Sequence, residues 1–569
     1  MMRWRPAELS GLEVPLVALV ASTVALVLVA ADSPWWWASI VGAVAWCSVT
    51  AIAVTDWTRR ETSIAVSHPA VVARITLLFA IGLAASHTKS HAPVFWTSIA
   101  VLVIGMTIEP VLVKMAPEGG VAHLPGVGPL LDDRLLRTGS MVSMVVLAVG
   151  VVLDLTKAGF LWWALLALMQ ICATAVLGVV VMGARRRRSR HARGVASAIE
   201  EYAPVYALYT ARRSGGAYQV EMWLPWLEQL GAPYIVVTRH PSAVDRLSSL
   251  TSAPIVSCES WADLDRVVVP SLRVALYVNS LGANADFLTH RELRHVYLGH
   301  GESDKALSVH PMHAAYDVVL VAGQAAIDRY AHAGLQIPPE RMVVVGRPQV
   351  TSIQRADGDP DRDGGGPSVL YAPTWMGYNA KTSYSSLPQG SRIVEQLVDA
   401  GCRVVFRPHP FSRERGREKD MAATVDAVLA ADRERGGREH LFGAAVDGDS
   451  FAAAANASDL MVCDVSSVLT DYLHSGKPVA VVDALGAILS HPEQYPDAAG
   501  AYVVAGDLSN LRSVLEDMAG GDTLRDQRLE HRAYVLGPSE PAGERFLAVL
   551  RGLAGEPSDT HDVEAERSQ

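Results

Sequence analysis

Six long apolar runs, at about 14–31, 36–55, 71–87, 93–113, 139–156 and 160–183, fill the first third of the chain. As helices, each is long enough to cross a hydrocarbon layer of ~30 Å at ~1.5 Å per residue. Aromatic clusters flank two of them, Pro34-Trp35-Trp36-Trp37 and Phe160-Leu161-Trp162-Trp163, as membrane interfaces favour. The first run is too long for a cleaved signal peptide, and another follows it almost at once. The pattern predicts an all-α bundle of six transmembrane helices over 1–193.

From about residue 198 the pattern becomes short β-branched runs alternating with Ala-rich helical stretches. The strands expected are Tyr234–Thr238, Arg273–Val278, His295–Leu298, Val318–Ala322, Met342–Val345, Val369–Tyr371, Arg403–Arg407, Leu460–Cys463 and Val479–Val482. Continuous apolar strands separated by helices predict parallel sheets covered on both faces. Ala356–Pro367 (ADGDPDRDGGGP) breaks the series, and its glycines and prolines suit a solvated linker better than a metal site. The boundaries predicted are a first α/β lobe over 194–356, a linker over 357–367, a second lobe over 368–555 and a disordered tail over 556–569.

Charge divides the chain at the same place. Residues 1–193 carry a net +6 and the remainder a net −16. With the N-terminus inside, Arg3, Arg5, Arg59, Arg60, Arg74, Lys114, Arg134, Arg137 and the Arg185–Arg193 cluster all fall on the cytoplasmic side. Only Lys89 and Lys157 are left outside, as the positive-inside rule requires. The expected location is therefore a bacterial cell membrane, multi-pass, with both termini and the soluble part cytoplasmic. Arg185–Arg190 suits anionic lipid headgroups better than nucleic acid. Glu109 and Asp154 are the acidic residues within the apolar runs, both near an end, which fits an anchor better than a transport path. The five cysteines (Cys47, Cys172, Cys258, Cys402, Cys463) never form a C-x-x-C pair, which argues against a disulfide framework or zinc site and fits a reducing compartment.

In wound α/β sheets, ligands bind beyond the carboxyl ends of the strands. The segments found there are Gly299-His300-Gly301-Glu302-Ser303-Asp304-Lys305, Ala372-Pro373-Thr374-Trp375, Pro408-His409-Pro410 directly after Arg407, and Asp464-Val465-Ser466-Ser467 opening a helix. Together they suit a phosphorylated ligand. Arg407 offers a planar fork for phosphate oxygens. Ser466 and Ser467 stand where a helix N-terminus binds anions, although an ordinary capping serine fits the same motif. His300 lies between two glycines that allow close approach, and imidazole titrates near neutral pH. His409 is pinned between prolines, where a surface histidine is the ordinary reading.

In order and spacing these blocks resemble the CDP-glycerol glycerophosphotransferase family, the teichoic-acid primases and polymerases. The residues that carry the resemblance are His300-Gly301 with Lys305, Tyr371-Ala372-Pro373-Thr374-Trp375, Arg407-Pro408-His409-Pro410, Asp464-Val465-Ser466-Ser467, Asp471-Tyr472 and Lys477-Pro478. Gly346-Arg347-Pro348 resembles the family's Gly-x-Pro turn, and the resemblance runs from Tyr297 to Val482. It implies a GT-B-like α/β fold of two Rossmann-like lobes. It also implies transfer of glycerol phosphate or a related polyol phosphate from a CDP-linked donor to a hydroxyl of a lipid-linked acceptor, releasing CMP.

By the same resemblance, His300 is the base, and His409 and Arg407 stabilise charge on the transferred phosphate. Ser466 and Ser467 hold the donor's phosphates, with Thr374, Asp464 and Lys305 beside them. Members usually read His-Gly-Thr-Pro where this chain has His300-Gly301-Glu302-Ser303-Asp304, and their Asp-Tyr-Ser-Ser has Val465 in place of Tyr. Glu302 and Asp304 could bind the acceptor or a divalent metal; otherwise no cofactor and no nucleic-acid partner is expected, while membrane lipids are. Two other readings stay open: a sugar-nucleotide transferase on the same fold, and a nucleotide-binding membrane transporter or sensor without chemistry.

Overall fold

The computed structural model describes residues 13–31, 40–45, 47–49, 51, 68–89, 93–117, 120–131, 141–143, 145–150, 152–153, 159–212, 216–305, 308–356, 366–377, 383–414, 416–448, 450–537 and 542–555. The chain forms two compact units: Met1–Gly120 with Val127–Val195, and Val121–Gly126 with Ala196–Gln569. Asp154, Arg59, Arg60, Arg134, Arg137, the Trp35–Trp37 cluster, most of the linker and the tail all lie outside the described residues.

The first unit is helical, with a core that includes Leu77, Phe95, Leu102, Met106 and Trp163. Two helices among the described residues, not six, are long and apolar enough to cross a membrane: Pro93–Met115 and Phe160–Tyr202. The other four runs give shorter apolar stretches, Val17–Ala30, Ile40–Val49, Val71–Ile81 and Met141–Gly150. Val71–Ile81 lies within a longer helix, His68–Lys89. Arg74 sits within that helix, buried and ion-paired at 3.3 Å with Glu109, which also accepts a hydrogen bond from Ser143. Arg74, expected at a membrane surface, is thus neutralised inside the bundle. Many large apolar side chains still face outward, among them Leu161, Val176 and Val179. The run Arg185–Arg190 is exposed along its helix.

The second unit holds two parallel sheets. In the first lobe, strands β1 (Val121–Ala122), β2 (Tyr206–Thr210), β3 (Tyr234–Thr238), β4 (Ile255–Ser257), β5 (Val274–Tyr277), β6 (Arg294–Tyr297), β7 (Val318–Val321) and β8 (Met342–Val344) run in the order 1-4-3-2-5-6-7-8. All pairs are parallel except β1 with β4. In the second lobe, β9 (Ser368–Ala372), β10 (Arg403–Phe406), β11 (Leu460–Cys463), β12 (Val479–Asp483) and β13 (Tyr502–Ala505) run 10-9-11-12-13. The nine expected strands are present, because strands buried on both faces read as unbroken apolar runs. The order reverses between β2 and β5 and between β9 and β11, and these switch points are where crevices open at strand ends.

Two elements cross the boundaries read from the sequence. β1 comes from the stretch assigned to the membrane domain, yet its backbone completes the edge of the first sheet. The last helix, Ala542–Ala554, returns to the first lobe, where Phe546, Leu547 and Leu550 join that lobe's core. Phe546 stacks on Trp223 with centroids 5.1 Å apart, and the Tyr206 hydroxyl donates to the Leu550 carbonyl at 3.2 Å. The helix was read with 368–555 because apolar periodicity shows that a face is buried but not which lobe buries it.

Phe546→Ala therefore opens a cavity in the core of the first lobe, where the last helix docks. It is expected to cost ~3–5 kcal/mol, read as a lowered unfolding midpoint with earlier proteolysis of the C-terminal helix. An unchanged midpoint would show that the docking is dispensable.

Candidate active site

At the second lobe's switch point, a buried carboxylate organises two loops. Asp464, just after β11, is fully buried. It accepts the backbone N–H of Thr374 at 2.7 Å and that of Ser386 at 3.1 Å. Burial pushes its carboxyl up to about 6, while these N–H groups and Lys305 pull the other way. The Ser385 hydroxyl donates to the Thr374 carbonyl at 2.5 Å. Both oxygens of Asp464 thus accept main-chain N–H groups, and this shapes the Thr374 loop. From the first lobe, the Lys305 ammonium donates to the Thr374 hydroxyl at 2.7 Å. Burial draws the Lys305 ammonium down to about 8, opposed by Asp464.

His300 follows β6 through Gly299, whose φ of +66° is a conformation glycine adopts without strain. The Trp223 indole N–H fixes this turn by donating to the Gly299 carbonyl at 2.9 Å. His300 Nδ1 lies 2.8 Å from the Val278 carbonyl at the end of β5. A carbonyl only accepts, so Nδ1 carries the proton and Nε2 keeps the lone pair. Burial, together with Arg212 and Arg347, lowers the imidazole to about 4 against the opposing pull of the Val278 hydrogen bond. The ring is therefore neutral at pH 7, with a basic nitrogen.

His409 has the opposite arrangement. Its Nδ1 accepts the backbone N–H of Phe411 at 3.1 Å, so the neutral ring carries its proton on Nε2. Its backbone N–H in turn donates to Pro373 at 3.0 Å. Both imidazoles stand edge-on to Tyr218, with centroids 6.2 Å (His300) and 6.1 Å (His409) from its ring. One nitrogen able to take a proton and one able to give one thus flank a single tyrosine. Phe411 and Trp375 complete this aromatic wall.

The Arg407 guanidinium lies 5.8 Å from the Phe451 ring centroid, and its backbone N–H continues the β9 pairing through Tyr371. Ser466 occupies the N-cap position of helix Ser467–Leu473 without a side-chain capping bond. Its hydroxyl donates instead to the Asp464 carbonyl at 3.3 Å. Ser467 packs against Gly301, where a Cβ would fall 2.7 Å from that of Ser467. The His300 loop and the Ser466-Ser467 turn therefore meet across the cleft, and Gly301 is the residue that lets them.

Glu302 and Asp304, the residues expected to meet an acceptor or a metal, face inward and share one guanidinium. Glu302 pairs with Arg329 at 2.9 Å, Asp304 with the same guanidinium at 3.3 Å, and Asp497 of the second lobe with it at 3.2 Å. Asp304 also accepts the Asp497 backbone N–H at 2.6 Å. Burial and Asp497 raise the Asp304 carboxyl, against the pull of Arg329. Among the described residues, no group of three or more His, Cys, Asp or Glu side chains is placed to hold a metal ion.

Residues 308–484 match the family described as CDP-Glycerol:Poly(glycerophosphate) glycerophosphotransferase. The match begins after His300 and Lys305, so their placement rests on geometry alone. No curated protein matches the chain. Among solved structures, the wall teichoic acid polymerase TagF aligns at TM-score 0.42 and 11% identity, covering 66% of this chain and 96% of its own. The S. aureus MnaA–UDP structure aligns at 0.41 and 13%, covering 63% and 99%. A UDP-N-acetylglucosamine 2-epimerase aligns at 0.40 and 13%, also covering 63% and 99%. Likenesses this distant decide neither fold nor function.

The tautomer and lowered basicity of His300 give a direct test. In histidine-labelled protein, its resonance, assigned with His300→Ala, should titrate near 4 rather than near the ordinary 6.5. A midpoint at the ordinary value would mean the ring is solvated and its Nδ1 bond broken.

Proposed function

We propose, from the premise that residues 308–484 belong to the CDP-glycerol:poly(glycerophosphate) glycerophosphotransferase family, that this chain transfers glycerol phosphate, or a related polyol phosphate, from a CDP-linked donor to an acceptor hydroxyl. The observation that carries the reading is the complementary pair of imidazoles about Tyr218, beside the switch point that presents Thr374.

The acceptor hydroxyl gives its proton to His300 Nε2 as its oxygen attacks the phosphorus that bears the polyol. The bond from that phosphorus to the CMP oxygen breaks, and CMP leaves with the electron pair. His409 Nε2–H and the Arg407 guanidinium donate to oxygens on which charge builds, where fixed donors contribute most. Lys305 and the backbone at Ser466-Ser467 hold the donor's phosphates, with Thr374 oriented by Lys305 and Asp464. Positioning supplies much of the rate in such transfers.

The acceptor is proposed to be lipid-linked and the chain membrane-anchored with its transferase unit cytoplasmic. Support comes from the two long apolar helices, the outward apolar side chains and the exposed Arg185–Arg190 run. Basic residues beside a membrane surface are attracted to anionic lipid.

The test is CMP release from CDP-glycerol by detergent-solubilised protein with a lipid-linked acceptor extract. Turnover should require acceptor and fall ~10²–10⁴-fold in His300→Ala. CMP release unaffected by that change would remove His300 as the base, and release only from UDP- or GDP-sugars would replace the donor class.

The pH profile carries a sign. His300 is a base wherever it is deprotonated, so the acid limb should fall near 4. Lys305 supports the phosphates only while protonated, so activity should decline above about 8. Lys305→Arg should carry that alkaline limb upward. An identical alkaline limb in the variant would assign it to another group.

A further inference from the structure

We propose that Glu302, Asp304, Arg329 and Asp497 form a proton-linked latch between the two lobes of the second unit, which closes the cleft with a proton held by its carboxylates and loosens when that proton leaves. Three carboxylates meet one guanidinium there. Arg329 lies 2.9 Å from Glu302, 3.3 Å from Asp304 and 3.2 Å from Asp497. The side chains of Asp304 and Asp497 are only 1% and 2% exposed. Fully ionised, the cluster sets three negative charges against one positive charge away from water, and buried charge without a partner is costly. Keeping one proton removes half of that excess.

The latch spans the lobes. Glu302, Asp304 and Arg329 belong to the first and Asp497 to the second, and the Asp497 backbone N–H donates to Asp304 at 2.6 Å. Opening the cleft takes Asp497 away and lets water reach Asp304, whose carboxyl then returns to the ordinary value of about 4. In the closed cleft, burial and Asp497 raise that carboxyl against the pull of Arg329. The closed state therefore binds the proton more tightly. Closure is fully favoured below the ordinary value, and it weakens as pH rises from there to the raised one. Because His300 and Lys305 bracket this loop, the latch sets where both of them stand.

The other charged and titrating groups around the cluster hold their state between mild acid and neutral pH. Arg329 stays charged, its carboxylates outweighing its burial, and Arg347, which also faces Glu302, is held charged by Asp471. Tyr330, Tyr495 and Tyr534 keep their protons, since burial raises all three hydroxyls. Burial lowers His531 beside Asp497, so that ring is neutral. Lys305, drawn down to about 8 by burial, keeps its proton through pH 7. Asp304 is the group whose proton is lost in this range.

Hydrogen exchange of the Asp497 amide reports opening of the joint. It is followed by mass spectrometry of the full chain in detergent and divided by the rate of the same amide in the unfolded chain. One proton released per opening changes that ratio about tenfold per pH unit, or about thirtyfold from pH 5.5 to 7, rising with pH. In Asp304→Asn, which keeps the side chain's shape and every other titrating group, the change should stay below about threefold. A wild-type rise below that limit, or the same rise in both proteins, overturns the latch. Asp304→Ser, smaller and likewise uncharged, replaces the asparagine variant if that one fails to fold. The latch does not rest on the transfer proposed above. A protein that releases no CMP yet shows the pH-dependent exchange sinks the transfer reading alone, and CMP release with a flat exchange profile sinks the latch alone.

Discussion

Two arginines of the first lobe, Arg329 and Arg347, pair with carboxylates of the second, and the geometry of the cleft depends on that register. Arg329 reaches Asp497 while holding Glu302 and Asp304, and Arg347 takes Asp471 through two bonds. Buried charges are tolerated only when paired and hydrogen-bonded, and removing one partner of such a pair costs ~3–5 kcal/mol. The pairs add little to net stability compared with apolar residues of the same size. Their effect is geometric, because a shifted lobe would leave charges buried and unpaired. Thr470 reinforces the register, its one hydroxyl proton lying within reach of both the Glu302 carbonyl, at 3.1 Å, and the Asp497 carboxylate, at 3.0 Å.

That register explains how two ordinary histidines take different roles. Each imidazole gives one nitrogen to the backbone, His300 to a carbonyl and His409 to an N–H. The backbone partner alone decides whether the remaining nitrogen accepts or donates. The guanidinium of Arg347, fixed by Asp471, then helps keep His300 neutral. Lobe docking and proton chemistry thus share a residue, and a change at the interface would alter reactivity without touching a ligand.

Much of the second unit was legible in the chain. Nine strands showed as apolar runs, and the strand-end blocks with His300, Thr374, His409 and Ser466 fall around one cleft. Four strands were missed: β1 and β4 have only two and three residues, β13 four, and β2, Tyr-Ala-Leu-Tyr-Thr, sits at the centre of its sheet behind a helix end that masks its start. Tyr218 was missed because nothing local distinguishes a tyrosine that two distant histidines will flank. The pairing of Glu302 and Asp304 was not legible for the same reason: Arg329 is 27 and 25 positions away and Asp497 lies in the other lobe. Arg74 and Glu109 mislead similarly in the first unit, where their pairing removes charges that looked like surface markers. Pattern reveals which face is buried, but partner choice belongs to tertiary contact.

The charge of the chain poses a final constraint. Residues after 193 carry a net −16, a field that disfavours capture of any phosphorylated donor from a distance. Attraction therefore has to be local, and the cations in the cleft are unevenly committed. Arg329 and Arg347 are bound to carboxylates, whereas Lys305 meets a neutral hydroxyl. A hydroxyl yields to phosphate at far lower cost than a buried carboxylate does, because no opposite charge is left behind. Lys305 is thus a cation that can turn to a ligand while the lobes stay locked. The division of labour among these three cations lets one cleft be rigid in its frame and attractive to anions at its centre.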